Sequence, residues 1–364
     1  MGDGMTDIEN ITTLSVADAV RFVSRAFVQA GVSEANAATV AAALVAAEID
    51  GQKGHGLSRV KSYALQARSG KVNGTAVPQL EICSAGLIRV DAQNGFAFPA
   101  IALAISELLT RLPETGIAAA GIIRSHHAGQ MGAHVEALAE QGMIALMFAN
   151  TPKAMAPWGG SQPVFGTNPI AFASPRADAA PLVIDLSLSK VARGKVMAAD
   201  KAGDSIPEGW ALDRNGQATT DPKAALAGSM VPLGDAKGAA LSLMVEIISA
   251  SLIGANHSFE ATSFFDAEGA PPGVGQMIIA IDPKKFGGQA FETRLSALCS
   301  AILEQSGTRL PGASRGQKRQ DARQNGVNIQ SHLRKEVEDL IADAYRAAGR
   351  NLSFRAILNG MTLS

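Results

Sequence analysis

Apolar residues recur at helical spacing from the start of the chain. Val16, Val20, Val23 and Phe27 share one face, Ser15 stands where an N-cap belongs, and Gly31 where a helix stops. This predicts a helix over residues 15–30. Ser33 is a cap for a second, Ala-rich helix ending at Gly51, and a third is expected over 57–67, closed by Gly70. The pattern changes after Val77. Strands are expected at 87–90, 116–123, 143–149, 169–174, 182–186 and 276–282, with helices at 98–112, between His127 and Gln141, at 237–252 and at 287–305. Residues 307–326 read as basic and irregular, and 328–348 returns to helix. The expected organisation is a helical domain from 1–77 plus 320–364 and a mixed α/β core over 78–319. Polar, ligand-type residues fall at the ends of the core's strands, where binding loops sit.

Composition narrows the class. A hydrophobic fraction of 47% is enough for a sizeable core, built mostly from small and aliphatic side chains because aromatics make up only 5%. A net charge of -1 argues against nucleic acid or an anionic membrane surface as partner. Cys83 and Cys299 form no metal-ligand or disulfide pattern, which fits a reducing, cytoplasmic setting. The N-terminal residues show no secretory signal, and Met5 is an alternative start. The most apolar stretch, 241–255, contains Glu246 and is too short to span a bilayer.

Familiar nucleotide and metal motifs are missing. No GxGxxG, GxxxxGK[ST] or HExxH is complete. The GxSxG at 312–316 lacks the buried strand and apolar helix a nucleophile elbow needs, so it reads as chance. His127 and His134 are seven apart, but no acidic partner stands at metal-ligand spacing, so no metal is expected.

Several polar clusters carry chemistry, each weighed against a plain structural role. In Gly54-His55-Gly56-Leu57-Ser58-Arg59, a helix begun near Gly56 would put His55 and Arg59 on one face. Imidazole suits proton transfer near neutrality, and guanidinium suits a carboxylate. The alternative is a turn between helices with Arg59 solvated. Arg124-Ser125-His126-His127 sits at a strand-to-helix junction, as a binding loop or a self-bonded polar loop. Lys153, among dense turn residues, is a candidate anion contact. Asp185-Leu186-Ser187-Leu188-Ser189-Lys190, followed by Arg193 and Lys195, suits sugar hydroxyls and phosphates, or else forms an edge strand and solvated loop. Pro232 to Gly238 precedes a helix N-terminus with Lys237, suited to an anion or simply to capping. Arg309 to Arg315 is a basic turn, of a kind that usually stays solvated.

In combination and in order, six motifs resemble the malate/L-lactate dehydrogenase family of nicotinamide-dependent oxidoreductases. They are DGQKGHGLSR, SHHAGQMG, APWGG with FGTNPIAFASP, VIDLSLSKVARGK, PLGDAKG and LPGASR, spanning about residues 14–329. The resemblance implies an α/β fold with a non-Rossmann, mixed-sheet cofactor-binding core and helical N- and C-terminal parts. It implies NAD or NADP as cofactor, a small carboxylate substrate and a homodimer. By position, His55 resembles the proton donor/acceptor, Arg59 the carboxylate ligand and His127 the histidine lining the substrate site. Asp185 to Val191 (Asp185, Leu186, Ser187, Leu188, Ser189, Lys190, Val191), Ala236 with Lys237, and Pro311, Gly312 and Ala313 resemble cofactor-binding segments. Lys153 or His127 is expected to hold a second anionic group.

Three positions depart from the family pattern. Gly54 stands where a Ser is common, His126 where Asn is usual, and Ala313 where an acidic residue commonly follows PG. PKAMAPWGG and SKVARGKVMAAD are most similar to the sulfolactate/malate-type branch, while SHH and FGTNPIAFASP are also similar to the cyclic-imine reductases. The expected reaction is hydride transfer between nicotinamide and a 2-hydroxy/2-oxo acid. The alternatives are reduction of a cyclic imine carboxylate and a non-catalytic binding role, which the intact His55, Arg59 and His127 argue against.

Overall fold

A computed structural model describes residues 11–177 and 179–347 of the chain. The tail after Arg350 and the alternative start at Met5 lie outside the described residues. β1 (Thr12–Leu14) leads into α1 (Val16–Gln29), whose N-cap Ser15 accepts from the Asp18 N–H. α2 (Glu34–Ile49) is capped in the same way by Ser33. Two single 3-10 turns, Lys53–His55 and Leu57–Arg59, then join it to α3 (Val60–Ser69). Gly70 ends α3 with φ 79°, a conformation that a residue with a Cβ enters only at a cost.

Next come β2 (Gln79–Ser84), β3 (Leu87–Asp91), α4 (Ala97–Thr115), β4 (Ile117–Ser125), α5 (Met131–Glu140), β5 (Ile144–Ala149), β6 (Ile170–Arg176) and β7 (Ala179–Leu186). α6 (Arg193–Ala202), β8 (Ala211–Leu212), β9 (Ala218–Thr219), α7 (Pro222–Ala227) and β10 (Ser229–Met230) form an excursion. The chain then enters α8 (Ala236–Glu246), which widens into a π turn at Ile247–Ser251. β11 (Val274–Ile281), α9 (Pro283–Gly287) and α10 (Ala290–Leu303) follow. The chain ends in α11 (Ser314–Asn325), β12 (Val327–Ile329) and α12 (Ser331–Ala347).

The chain clusters into two compact units. One holds the segments up to Gly70 and from Ser314 onward. There β1 pairs antiparallel with β12, and α1, α2, α3 and α12 pack on each other around Phe22, Phe27, Leu44 and Tyr63. The segment expected to be irregular contains α11. It offers no apolar stripe, because only Arg315 and Ala322 are buried along it. It is held instead by ion pairing: Arg319 donates to both oxygens of the buried Asp50 carboxylate, and Lys318 donates to the Asp50 carbonyl.

The other unit, Lys71–Ala313, is built on a seven-stranded sheet in the order β2-β3-β4-β11-β5-β6-β7. Among the described strands of this sheet, only β3 and β4 pair in parallel. This is a mixed sheet and not a doubly wound one, so the missing GxGxxG has a structural counterpart. Alternation along β11 sends Ile278 and Ala280 to the face covered by α4 and α5, and Met277 and Ile279 to the other. Alanines at 118, 120, 145, 171, 173 and 280 let α4 and α5 lie close to the sheet.

Candidate active site

In the helical unit the GHGLSR stretch does not form one helix. The chain breaks at Gly56 (φ −97°, ψ −138°), so His55 and Arg59 close two successive 3-10 turns and do not share a helical face. Glu48 explains the glycine. Its carboxylate accepts from the Leu57 N–H at 3.0 Å, and a Cβ on residue 56 would overlap that carboxylate and crowd the Glu48 backbone. Burial holds the Glu48 carboxyl above its usual range.

Arg59 Nε donates to the Gly54 carbonyl at 2.7 Å, and Ser58 Oγ to the Lys53 carbonyl at 2.7 Å. The loop thereby fixes the guanidinium beside the imidazole. Burial pushes His55 down to about 4, and the Arg59 charge adds to the effect. Tyr63 is buried below the pair, and burial keeps its phenol protonated. The open space around Gly54 has room for a side chain.

In the α/β unit, strand register brings most of the remaining candidates, though not Pro311 to Ala313, to one end of the sheet. Ser125, Ala149, Ile170 and Leu186 end or begin their strands on that side. His126 and His127 follow β4 and are buried. The Gln276 amide donates to the His126 carbonyl, and Phe264 lies 5.1 Å from the His126 ring and 5.2 Å from that of His127. Arg124, at φ 48°, is engaged by the Asp91 carboxylate. His134 bonds the Ala128 carbonyl at 2.8 Å, and among the described residues no cluster of metal-ligating groups is present.

Lys153 is exposed, and its backbone N–H donates to the Ser258 carbonyl. Beneath it lies a buried polar group the sequence did not reveal. The Glu246 carboxylate accepts from Asn168 at 2.8 Å, from Asn150 at 3.3 Å and from the Ser258 N–H and hydroxyl at 2.5 and 2.7 Å. It stood out in the sequence only as the charge inside an apolar run. Its two amide donors, Asn150 and Asn168, lie far away along the chain.

Two of the cofactor-type segments meet at the exit of β7. Leu188 N–H donates to Thr167 O, Lys190 N–H to Val231 O and Leu233 N–H to Leu188 O, which lays 188–190 beside the loop before α8. Ala236 and Lys237 open that helix and are exposed. Gly312 takes φ 77°, and a Cβ there would come within 3.0 Å of the Val183 carbonyl, so Pro311 to Ala313 lies against β7. Asp185 is committed locally: its carboxylate accepts from the Gly132 N–H at 2.7 Å, at the N-terminus of α5. Ser187 and Ser189 bond each other, and Ser189 bonds the Val191 carbonyl. Ser314 of the GxSxG match starts α11 with no strand leading into it. Two cavities, of about 390 and 450 Å³, open at the opposite end of the sheet and include no candidate residue.

Comparison with known proteins gives this arrangement its context. Residues 14–338 match the malate/L-lactate dehydrogenase family. A (2R)-3-sulfolactate dehydrogenase (NADP(+)) of Chromohalobacter salexigens is 50% identical over 334 residues, covering 92% of this chain and 97% of that protein. A Δ1-pyrroline-2-carboxylate/Δ1-piperideine-2-carboxylate reductase of Pseudomonas putida is 40% identical over 320 residues, 86% of this chain and 93% of that one. The crystal structure of Δ1-piperideine-2-carboxylate reductase from Pseudomonas syringae pvar. tomato has a TM-score of 0.86 at 39% identity, covering 90% of this chain and 99% of that one. The chain belongs to the malate/L-lactate dehydrogenase family of non-Rossmann, NAD(P)-dependent oxidoreductases.

Proposed function

We propose that this enzyme interconverts a 2-hydroxy acid of the sulfolactate/malate type and its 2-oxo acid, with NADP or NAD as hydride carrier. The carrying observation is the pair of His55, its imidazole held neutral, and Arg59, its guanidinium anchored on the Gly54 carbonyl. The 50% identical sulfolactate dehydrogenase supports the substrate class and NADP. We infer also that the two compact units act as domains, one carrying the HGxxR motif and one the cofactor.

The residues along the exit of β7 fit a dinucleotide. The N-terminus of α8 with Lys237 is exposed, and Lys190 and Lys195 supply exposed cations for phosphate. Asp185, Leu186, Ser187, Leu188, Ser189, Lys190 and Val191, with Ala236, Lys237, Pro311, Gly312 and Ala313, would hold it. When bound, the dinucleotide supplies or takes up the hydride.

The chain's own residues do the rest. Arg59 pairs with the substrate carboxylate and so orients C2. His55, neutral, takes the hydroxyl proton during oxidation. During reduction a bound carboxylate offsets the Arg59 charge, which restores proton affinity to His55 and lets it protonate the oxygen at C2. His127 or Lys153 holds a second anionic group such as sulfonate or carboxylate.

The second reading is reduction of a cyclic imine carboxylate, favoured by the reductase relatives at 40% identity. Two further inferences complete the picture. The enzyme works as a homodimer, on account of the exposed apolar side chains of residues 241–252. It works in the cytoplasm, on account of its two free cysteines.

The test is a panel of sulfopyruvate, oxaloacetate, pyruvate and Δ1-piperideine-2-carboxylate with NADH and NADPH. A 2-oxo acid should turn over fastest, and His55→Ala should lower its turnover by roughly 10²–10⁴-fold with dinucleotide binding kept. Fastest turnover of the imine would select the second reading. Absence of thermal protection by either dinucleotide would point to a non-catalytic protein.

A further inference from the structure

Residues 252–273 contain no helix or strand, yet Phe264 within them is buried against both His126 and His127. The ends of the segment are held by backbone bonds, Asn256 N–H to Gly273 O and Lys153 N–H to Ser258 O, while the stretch around Phe264 is held by side chains. The anchor nearest Phe264 is a buried lysine. Lys71 is 2% exposed, and its Nζ donates to the Ser263 carbonyl at 2.7 Å, the Asp266 carbonyl at 3.1 Å and the Asp266 carboxylate at 2.9 Å. Those oxygens flank Phe264 on both sides. The turn is tightened from within, as Ser263 Oγ accepts from the Phe265 N–H and the Asp266 carboxylate from the Glu268 N–H.

A buried ammonium is an expensive way to fill space, because an apolar side chain of similar volume is often as stabilising. What the ammonium adds is a set of charge-assisted donors that draws the Ser263 carbonyl and both oxygens of Asp266 named above onto one point. The histidine segment packs against that turn. Phe96 meets His126 edge-on at 5.8 Å and Gln276 holds its carbonyl, while Phe264 meets both rings.

We propose that Lys71 is a positioning residue: by clamping the 263–266 turn it presses Phe264 onto His126 and His127 and so fixes His127 for the substrate. The inference rests on the reading that His127 lines the substrate site. A displacement of about 1 Å at such a group costs about 10²-fold. Lys71→Met should therefore lower kcat/KM for the 2-oxo acid by roughly 10–10²-fold, while dinucleotide affinity, read by fluorescence titration, stays within about twofold. Phe264→Leu should reproduce that profile.

The decisive readout is a double-mutant cycle. If Lys71 acts through His127, Lys71→Met costs little more once His127→Ala is present. Losses that multiply would overturn the proposal and leave the reading of His127 intact. A His127→Ala enzyme with unchanged kinetics would instead remove that reading, and the proposal with it. Should Lys71→Met fail to fold, Asp266→Asn and Phe264→Leu enter the same cycle, with the same outcomes deciding.

Discussion

Two influences favour the neutral ring of His55: burial first, then the Arg59 charge. Their effect has a sign that kinetics can read. In the free enzyme the imidazole is unprotonated down to about 4, so with His55 as the proposed base, oxidation of the hydroxy acid needs no prior deprotonation at neutral pH. Its kcat/KM should stay level from about pH 8 to 5, where a histidine at its ordinary 6.5 would already have lost activity. Reduction needs the imidazolium, so its kcat/KM should rise about tenfold per pH unit as pH falls over the same range. In kcat, where the bound carboxylate offsets Arg59, the apparent pKa should move up. Both directions turning near 6.5 in kcat/KM would refute the depressed value. The same group affects folding. Its folded pKa lies below its unfolded one, so stability is complete above 6.5 and declines as pH falls toward 4, the unfolded ring taking the proton first. In the sequence His55 and Arg59 were visible as residue types at a suggestive spacing. Glu48 was not. It acts seven positions before His55, and only the fold shows that its carboxylate both caps Leu57 and excludes a Cβ at Gly56.

At the scale of elements, legibility followed the source of each element's stability. α1 and α2 carry their signals locally, in the caps Ser15 and Ser33. β2 alternates Leu80 and Ile82 with Gln79 and Glu81, but all six residues are exposed at the sheet edge, and β8, β9 and β10 are two residues each. α11 is the instructive failure, because its anchor is a carboxylate about 270 residues earlier in the chain. That anchor makes a prediction. The Asp50 side chain is fully buried, and Arg319→Met would strip its bidentate partner while keeping much of the stem. Removing one partner of a fully buried pair costs about 3–5 kcal/mol. Arg319 is 29% exposed and Lys318 still binds the Asp50 carbonyl, so a loss of about 2–3 kcal/mol is expected. Urea unfolding should show a lower midpoint at unchanged slope. A change under about 0.5 kcal/mol, typical of solvated surface pairs, would make the ion pair incidental.

At the scale of the whole molecule, the sheet order could not be read from the sequence, because β11 is inserted between β4 and β5 after a long excursion of the chain. The same excursion delivers α8. Gly238, Ser242 and Val245 on this helix are buried, and Glu246 turns inward to its amides. Leu241, Leu243, Ile247 and Leu252 remain 42–67% exposed, so the stretch is apolar on more than one side. A helix apolar all round is normally covered, and contiguous exposed apolar surface marks an interface. Covered by a second copy, the patch would contribute at about 25 cal/mol for each Å² of apolar surface withdrawn from water. The wild-type enzyme should therefore sediment at twice the chain mass at micromolar concentration. A charge in the patch, Ile247→Glu, should shift it toward monomer and lower its thermal midpoint, since the π turn leaves that side chain half exposed and able to accept the charge within one subunit. The observation that would remove the dimer is a wild-type protein sedimenting as monomer. An Ile247→Glu variant that stays dimeric would move the interface away from α8 to another exposed apolar surface.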